Sequence, residues 1–309
     1  NEADPEIQQV IADNKADIIS MSYGGGESDN FADANAYDAS FSKLEFAELS
    51  TEGIAAFASS GDSGSAECLA AGGGYRPQVC VSYPSGDNNV TSVGGVTAYL
   101  DSLGALAAPV LGWGISTSFA GSGGYGGSSG SGGGTSTFMP APAWQQAALG
   151  NSLREQPDVS LIGDPNTGVT SISNARFGGA PSDIGGTSVS APQMAATWAL
   201  VLSACVANPG KGLCPPSGSG AFYRLGNASP YLYAILKGTP LRGISPALAY
   251  GSVFYDVLYG SNEMASNALG LPSAPIPGAI AQTGYDQITG VGVPYAGHLI
   301  QAITGQVVP

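Results

Sequence analysis

The chemistry of this chain is concentrated in Gly185-Gly186-Thr187-Ser188-Val189-Ser190-Ala191-Pro192. A Gly-Gly turn hands Ser188 to a run that reads as a helix, Pro192 to Leu200. A serine at a helix N-terminus meets unpaired backbone N–H groups and the positive end of the helix dipole. Both favour negative charge developing at or beside its oxygen, as a nucleophile requires. Pro192 is expected in the first turn, where a missing N–H costs nothing. The small residues Ala191, Ala195, Ala196 and Ala199 are expected to let the helix pack closely. The same spacing also describes an ordinary Ser/Thr cap on a buried helix.

A second stretch could do complementary work. Ser59-Ser60-Gly61-Asp62-Ser63-Gly64 follows a predicted strand, and the carboxyl ends of strands in α/β sheets are where ligands bind. Asp62 reads either as a turn aspartate or as a site residue. Near the C-terminus, Asp256-Val257 and Gln282-Thr283-Gly284-Tyr285-Asp286 place two carboxylates and free carbonyls on glycine-rich loops. Such a set suits a hard cation such as Ca²⁺, although the spacing is not that of an EF-hand.

The elements that must position these residues alternate in type. Residues 5–14 read as an amphipathic helix with Asp4 as cap and Pro5 at its first position. Residues 17–23 form an apolar strand, 30–51 a helix, 53–59 a second strand and 90–99 further extended chain. This β–α–β order with continuous apolar strands predicts an α/β fold with a mainly parallel sheet covered by helices. Residues 121–136 are almost all Gly and Ser, and read equally as a flexible linker or as a glycine-rich strand beside a ligand.

Composition narrows the partners. The 309 residues carry 23 acidic side chains against 9 Lys and Arg, a net charge of −14. That balance excludes a nucleic-acid binder, which needs clustered basic residues. With 10% charged residues and 43% hydrophobic ones the chain is globular, and little self-repulsion remains near pH 4. No apolar run approaches the length of a membrane span. The four cysteines allow three pairings, of which the sequence-local one, Cys68 with Cys80 and Cys205 with Cys214, is expected. Two disulfides imply export.

Taken together, the two motifs resemble the sedolisins, the serine-carboxyl branch of the subtilisin-like peptidases. Gly186-Thr187-Ser188 with Ala191-Pro192 is similar to their nucleophile segment, and Ser60-Gly61-Asp62-Ser63-Gly64 to their oxyanion loop. Ile18 to Gly24 is similar to their strand ending in Ser-Trp/Tyr-Gly, and Gly132-Gly133-Gly134 with Pro142-Ala143-Trp144-Gln145 to their substrate-binding segment. Pro157-Asp158-Val159-Ser160 and Asp164 to Gly168 match another family stretch. The resemblance implies a subtilisin-like three-layer domain, residues 1–309 being the larger C-terminal part of one catalytic domain. It implies Ser188 as nucleophile and Asp62, protonated, as an oxyanion donor active in acid. It implies Ser22, Tyr23, Gly24, Gly132, Gly133 and Gly134 as substrate-binding positions. One calcium would lie in 245–309, on the side chains of Asp256 and Asp286 and the carbonyls of Val257, Gln282 and Gly284. The one histidine, His298, follows Ser188 in sequence and reads as a surface or helix-capping residue, so a subtilisin-order triad is not expected.

The family's base is a Glu-x-x-x-Asp pair on a helix before the strand matched here by residues 17–23. Glu2, Asp4 and Glu6 are the early carboxylates, and none has that spacing. The pair is expected on a separate N-terminal chain or an omitted first part; a degenerate homologue would lack it. The expected activity is secreted endopeptidase action on protein or peptide substrates. A non-catalytic homologue and a tripeptidyl-peptidase are the alternatives.

Overall fold

The strand Ala55–Ser59, apolar up to its last residue, is buried at every position, as a strand covered on both faces must be. It pairs in parallel with Ile18–Met21 on one side and with Val90–Thr97 on the other, and Val90–Thr97 pairs in parallel with Val159–Ile162. A short antiparallel strand, Leu111–Gly112, joins the end of Val90–Thr97. These relations come from a computed structural model that describes residues 4–69, 77–114, 129–173, 178–216, 223–241, 248–263 and 278–307. Residues 121–128 of the Gly/Ser run, and Glu2, lie outside the described residues.

Alternation along the strands splits the core into two layers. Ala55 and Phe57 face Met194, Trp198 and Val201, whereas Ala56 and Ala58 face Ile7, Phe46 and Leu49. The sheet is thus packed between helices on both faces, the three-layer α/β arrangement expected. A third cluster, with Val96, Val110, Val257 and Ile288, holds the C-terminal loops against one end of the sheet. Between adjacent strands, Asp158 accepts from both Arg154 guanidinium nitrogens at 2.7 and 2.6 Å, from Tyr233 Oη at 3.0 Å and from the Ser92 N–H at 2.8 Å. Both side chains are fully buried and each sets its charge against the other, with Arg154 Nε alone left without a partner.

Local sequence explains most element ends. The helix Pro5–Asp13 starts where Asp4 accepts the N–H groups of Glu6 and Ile7, and stops at Asn14 in the left-handed conformation. The single helix expected over 30–51 is instead three: Glu27–Asn30, Ala34–Asp38 and Phe41–Thr51. Asp33 and Ser40 each accept an N–H three residues on, from Ala36 and Lys43, and so restart the chain as fresh N-termini.

The central helix runs Thr187–Ala207, so Ser188 is its second residue and Pro192 lies in the second turn, not the first. Its buried stripe is Ala191, Met194, Ala195, Trp198, Val201, Leu202 and Cys205. Of the small residues expected to pack inward, Ala196 and Ala199 face outward. Both expected disulfides form, Cys68–Cys80 and Cys205–Cys214, the second tying the end of this helix to the following turn.

Candidate active site

Ser188 sits where the central helix meets the carboxyl end of Ile18–Met21. Pro192 has no N–H for the carbonyl four residues before it, so the Ser188 carbonyl lacks its helical partner. Ser22 Oγ supplies one, donating to that carbonyl at 2.7 Å, and Ser188 Oγ donates to the Ser22 carbonyl at 3.3 Å. A carbonyl cannot accept the proton that a nucleophile must lose. Among the described residues, neither a carboxylate nor an imidazole is hydrogen-bonded to Ser188 Oγ. His298 is exposed on the C-terminal helix, its Nδ1 donating to the Ser252 carbonyl.

The loop after Ala55–Ser59 brings Asp62 to the same helix start. Thr187, wholly buried, donates both its N–H and its hydroxyl to Asp62 Oδ1, at 2.7 and 2.8 Å. Its hydroxyl also lies 3.1 Å from both the N–H and the carbonyl of Gly61. The other carboxyl oxygen rests against Gly186, whose φ is +96°. A Cβ there would meet Asp62 Oδ2 at 2.7 Å, so glycine both adopts the turn and makes room for the carboxyl. One Asp62 oxygen is thus fixed by two donors and the exposed side chain is oriented.

Two features of this loop were not read from sequence. Thr187, adjacent to the predicted nucleophile, is what fastens the loop to the helix. Glu67 folds its carboxyl under Gly61 and accepts the Ser63 N–H at 2.7 Å. Burial pushes that carboxyl up to about 8, with Asp62 adding to the rise and the Ser63 N–H opposing it. No local pattern marks it; only the neighbouring disulfide at Cys68 hints that this loop is pinned.

Gly132, Gly133 and Gly134 form packed, buried chain rather than linker. Gly132 donates to the Gly61 carbonyl at 2.8 Å and Gly130 to the Asp62 carbonyl at 2.9 Å. A Cβ on Gly132 would sit 2.0 Å from the Ser60 carbonyl oxygen, and one on Gly133 2.1 Å from that of Gln287. Bare backbone is needed here because protein backbone presses from both sides. Ser22, Tyr23 and Gly24 are exposed at the strand end, as substrate-binding positions would be.

The C-terminal loops bring the predicted cation ligands together. Gly284 donates its N–H to Asp256 at 3.0 and 3.2 Å, while the Gln282 N–H lies 3.4 Å from Asp286. One turn therefore bridges the two carboxylates. Asp286 is 2% exposed, and burial lifts its carboxyl to about 6 against the N–H groups of Thr289, Ile288 and Gln282. No ion pair reaches either aspartate among the described residues. The carbonyl oxygens of Val257, Gln282 and Gly284 receive no hydrogen bond from a described donor. All-oxygen donors with carbonyls to spare fit a calcium ion.

The subtilase family profile matches residues 3–209. Sedolisin from Pseudomonas sp. (strain 101) is 31% identical over 201 residues, which are 64% of this chain and 32% of that protein. The solved structure of Pseudomonas sedolisin, a serine-carboxyl proteinase complexed with two molecules of pseudo-iodotyrostatin, superposes with a TM-score of 0.69 at 27% identity. That match covers 98% of this chain and 69% of the solved one. The alignment thus spans about a third of the curated relative. A profile match over most of the chain, together with the shared three-layer fold, shows that this chain belongs to the subtilase family as a sedolisin-like member.

Proposed function

We propose that residues 1–309 are the larger part of the catalytic domain of a secreted serine-carboxyl endopeptidase that works in acid. The observation that carries this reading is Asp62, hung from Thr187 at the helix start that presents Ser188. Ser188 Oγ attacks the peptide carbonyl and gives its proton to a glutamate, paired with an aspartate, outside this chain. Asp62 donates a hydrogen bond from its carboxyl O–H to the oxyanion, which requires its neutral form. Loss of one such donor costs about 3 kcal/mol of transition-state stabilisation. Glu67, half-buried behind the loop, fixes Ser63 and with it the path of the chain at Asp62.

A second polypeptide carrying the Glu and Asp is supported by what is left uncovered. Among the described strands, Ile18–Met21 is paired on one side only. Beside it a cleft is lined by Ile18, Ala199, Leu202 and Val206, and Leu200 and Val206 on this helix are 54% and 56% exposed. An unpaired edge next to an apolar helix face asks for a covering strand. Calcium bound by Asp256, Asp286 and the carbonyls of Val257, Gln282 and Gly284 would tie the C-terminal loops together. Two formed disulfides support export to an oxidising compartment.

The test is labelling by a fluorophosphonate or peptide aldehyde at pH 4, with intact-mass analysis of the purified protein. The expected result is a label on Ser188, absent in Ser188→Ala, in a two-chain species. A folded, unlabelled protein that cleaves no peptide would overturn the peptidase reading. A single proteolytic 309-residue species would overturn the two-chain part.

A further inference from the structure

Two chain segments lead away from the candidate catalytic residues. Ser22-Tyr23-Gly24 is fastened to the nucleophile, since Ser22 exchanges hydrogen bonds with Ser188. Gly132-Gly133-Gly134 is fastened to the oxyanion loop, since Gly132 donates to the Gly61 carbonyl and Gly130 to that of Asp62. The two then enter different surroundings: Gly25–Gly26 pairs with Ser82–Tyr83, and Gly134–Pro140 pairs with Leu153–Gln156. Before those pairings begin, main-chain groups are left over. Among the described residues, nothing is hydrogen-bonded to the N–H or carbonyl of Gly24, to the Gly132 carbonyl or to the Gly133 N–H. Unpaired backbone of this kind is what an extended peptide pairs with.

Beyond each segment the two are joined by one side chain. Glu27 follows Gly24 by three positions, and Thr137 follows Gly134 by three. Glu27 Oε1 accepts the Thr137 N–H at 2.7 Å and the Thr137 hydroxyl at 2.9 Å, and Oε2 accepts the Ser136 hydroxyl. The N–H of Glu27 donates to the Val81 carbonyl at 2.9 Å, which fixes the far end of the first segment. Behind this link Phe31 meets Phe138 edge-on, with ring centroids 6.5 Å apart. Glu27 is wholly buried, and no ion pair reaches it among the described residues. A buried carboxyl without a cation is a costly join, offset here by three donors from one strand. Were holding the segments together all that is required, apolar packing such as Phe31 on Phe138 would do so at lower cost. A carboxyl bonded through both oxygens adds a fixed length.

We propose that Glu27 is a positioning residue that sets the gap between the two segments flanking the peptide substrate. The inference rests on the peptidase reading for its ligand, and adds the group that spaces the two walls. At their reactive ends the walls are held by Ser188 and by the Asp62 loop, and at their far ends by Glu27. A peptide laid between them pairs with both only when the gap matches the spacing of neighbouring strands, about 4.8 Å to each side. Substrate residues distant from the cut therefore depend on Glu27 most, and those at the cut least.

The experiment measures kcat and KM at pH 4 for a short peptide and for versions lengthened residue by residue on either side of the cut. The full-length protein is expected to gain about tenfold or more in kcat/KM from lengthening on one side, mostly through KM. Glu27→Asp keeps the acceptors but shortens the side chain by about 1.5 Å. It should cut that gain at least threefold or so, the loss lying in the KM of the long peptides. Glu27→Gln keeps the length, and the Ser136 hydroxyl can turn to accept its amide, so most of the gain should return. A gain in Glu27→Asp equal to wild type, or an equal loss in Asp and Gln variants, overturns the inference. Should Glu27→Asp fail to fold, Thr137→Val decides, since it removes one donor and leaves the carboxyl paired. A partial loss of the gain upholds the spacing role, and an unchanged gain overturns it. Should the protein cleave nothing, the peptidase reading fails separately. The walls are then judged by calorimetric binding of the same peptides to Ser188→Ala. Affinity that rises with length, and loses that rise when Glu27→Asp is added, upholds the inference; no rise, or an unchanged one, overturns it.

Discussion

Ser22 and Ser188 exchange hydrogen bonds, each hydroxyl donating to the other residue's carbonyl, at 2.7 and 3.3 Å. The exchange exists because Pro192 cannot donate to the Ser188 carbonyl, so the helix start is fastened to the sheet edge instead of to its own next turn. Ser22→Ala should destabilise the protein by about 0.5–1 kcal/mol, the net worth of one hydrogen bond at a site that water can reach. Pro192→Ala restores an N–H at the right place. The double variant Ser22→Ala/Pro192→Ala should therefore lose less than the sum of the single changes in urea unfolding. Strict additivity would show that the two residues do not share this carbonyl.

In the proposed mechanism Asp62 is the donor to the oxyanion. Asp62→Asn keeps an acceptor for Thr187 and offers an N–H donor at every pH. The variant is expected to lose the wild-type fall in kcat/KM toward neutral pH, at some cost in acid. Thr187→Val removes the hydroxyl that holds Asp62 and Gly61 without changing side-chain size. It should lower kcat roughly tenfold or more with a smaller change in KM, as expected when a group is misplaced rather than lost. A pH profile of Asp62→Asn superimposable on wild type would rule out the oxyanion role.

Stability should decline from acid to neutral pH. Burial lifts the Glu67 carboxyl from 4.5 to about 8 and that of Asp87 from 3.8 to about 6. The folded protein thus keeps these protons to higher pH than the unfolded chain. Their stabilising contribution is complete below the unfolded values near pH 4, and is lost as pH rises through about 6 for Asp87 and about 8 for Glu67. Denaturant midpoints at pH 5, 6.5 and 8 should fall in that order. Glu67→Gln, which retains an acceptor for the Ser63 N–H, should flatten the fall between pH 6.5 and 8. Parallel curves for the two proteins would exclude Glu67 as its source.

Calcium should stabilise the C-terminal loops. At a hundredfold excess over its dissociation constant a ligand adds about 2.7 kcal/mol. A chelator is expected to lower the melting temperature by several degrees, reversed by calcium and not by magnesium. In Asp286→Asn or Asp256→Asn the chelator should change little. Unaltered melting of the wild type on chelation would show that these loops hold no structural cation.

The chemical residues were legible because their signals are local. A serine between Gly-Gly and a helix, an aspartate at a strand end and two sequence-local cysteine pairs are fixed by neighbours a few positions away. The strands read from continuous apolar runs, because burial on both faces leaves no alternation to misread. The long helix over 30–51 was misjudged because its apolar residues suit a helix, while the side chains of Asp33 and Ser40 restart it twice. Glu67 was invisible because it gains its meaning from a partner fold segment, the backbone at Gly61.

The sequence by itself determined which side chains could do chemistry and which elements carry them, since helix starts, strand runs and caps depend on short-range sterics and hydrogen bonds. Only the tertiary structure decided that Thr187 holds Asp62 and that Ser22 answers the carbonyl freed by Pro192. Those relations join residues 125 and 166 positions apart. Packing of the central helix against the sheet creates them, by bringing groups distant in sequence within hydrogen-bond reach.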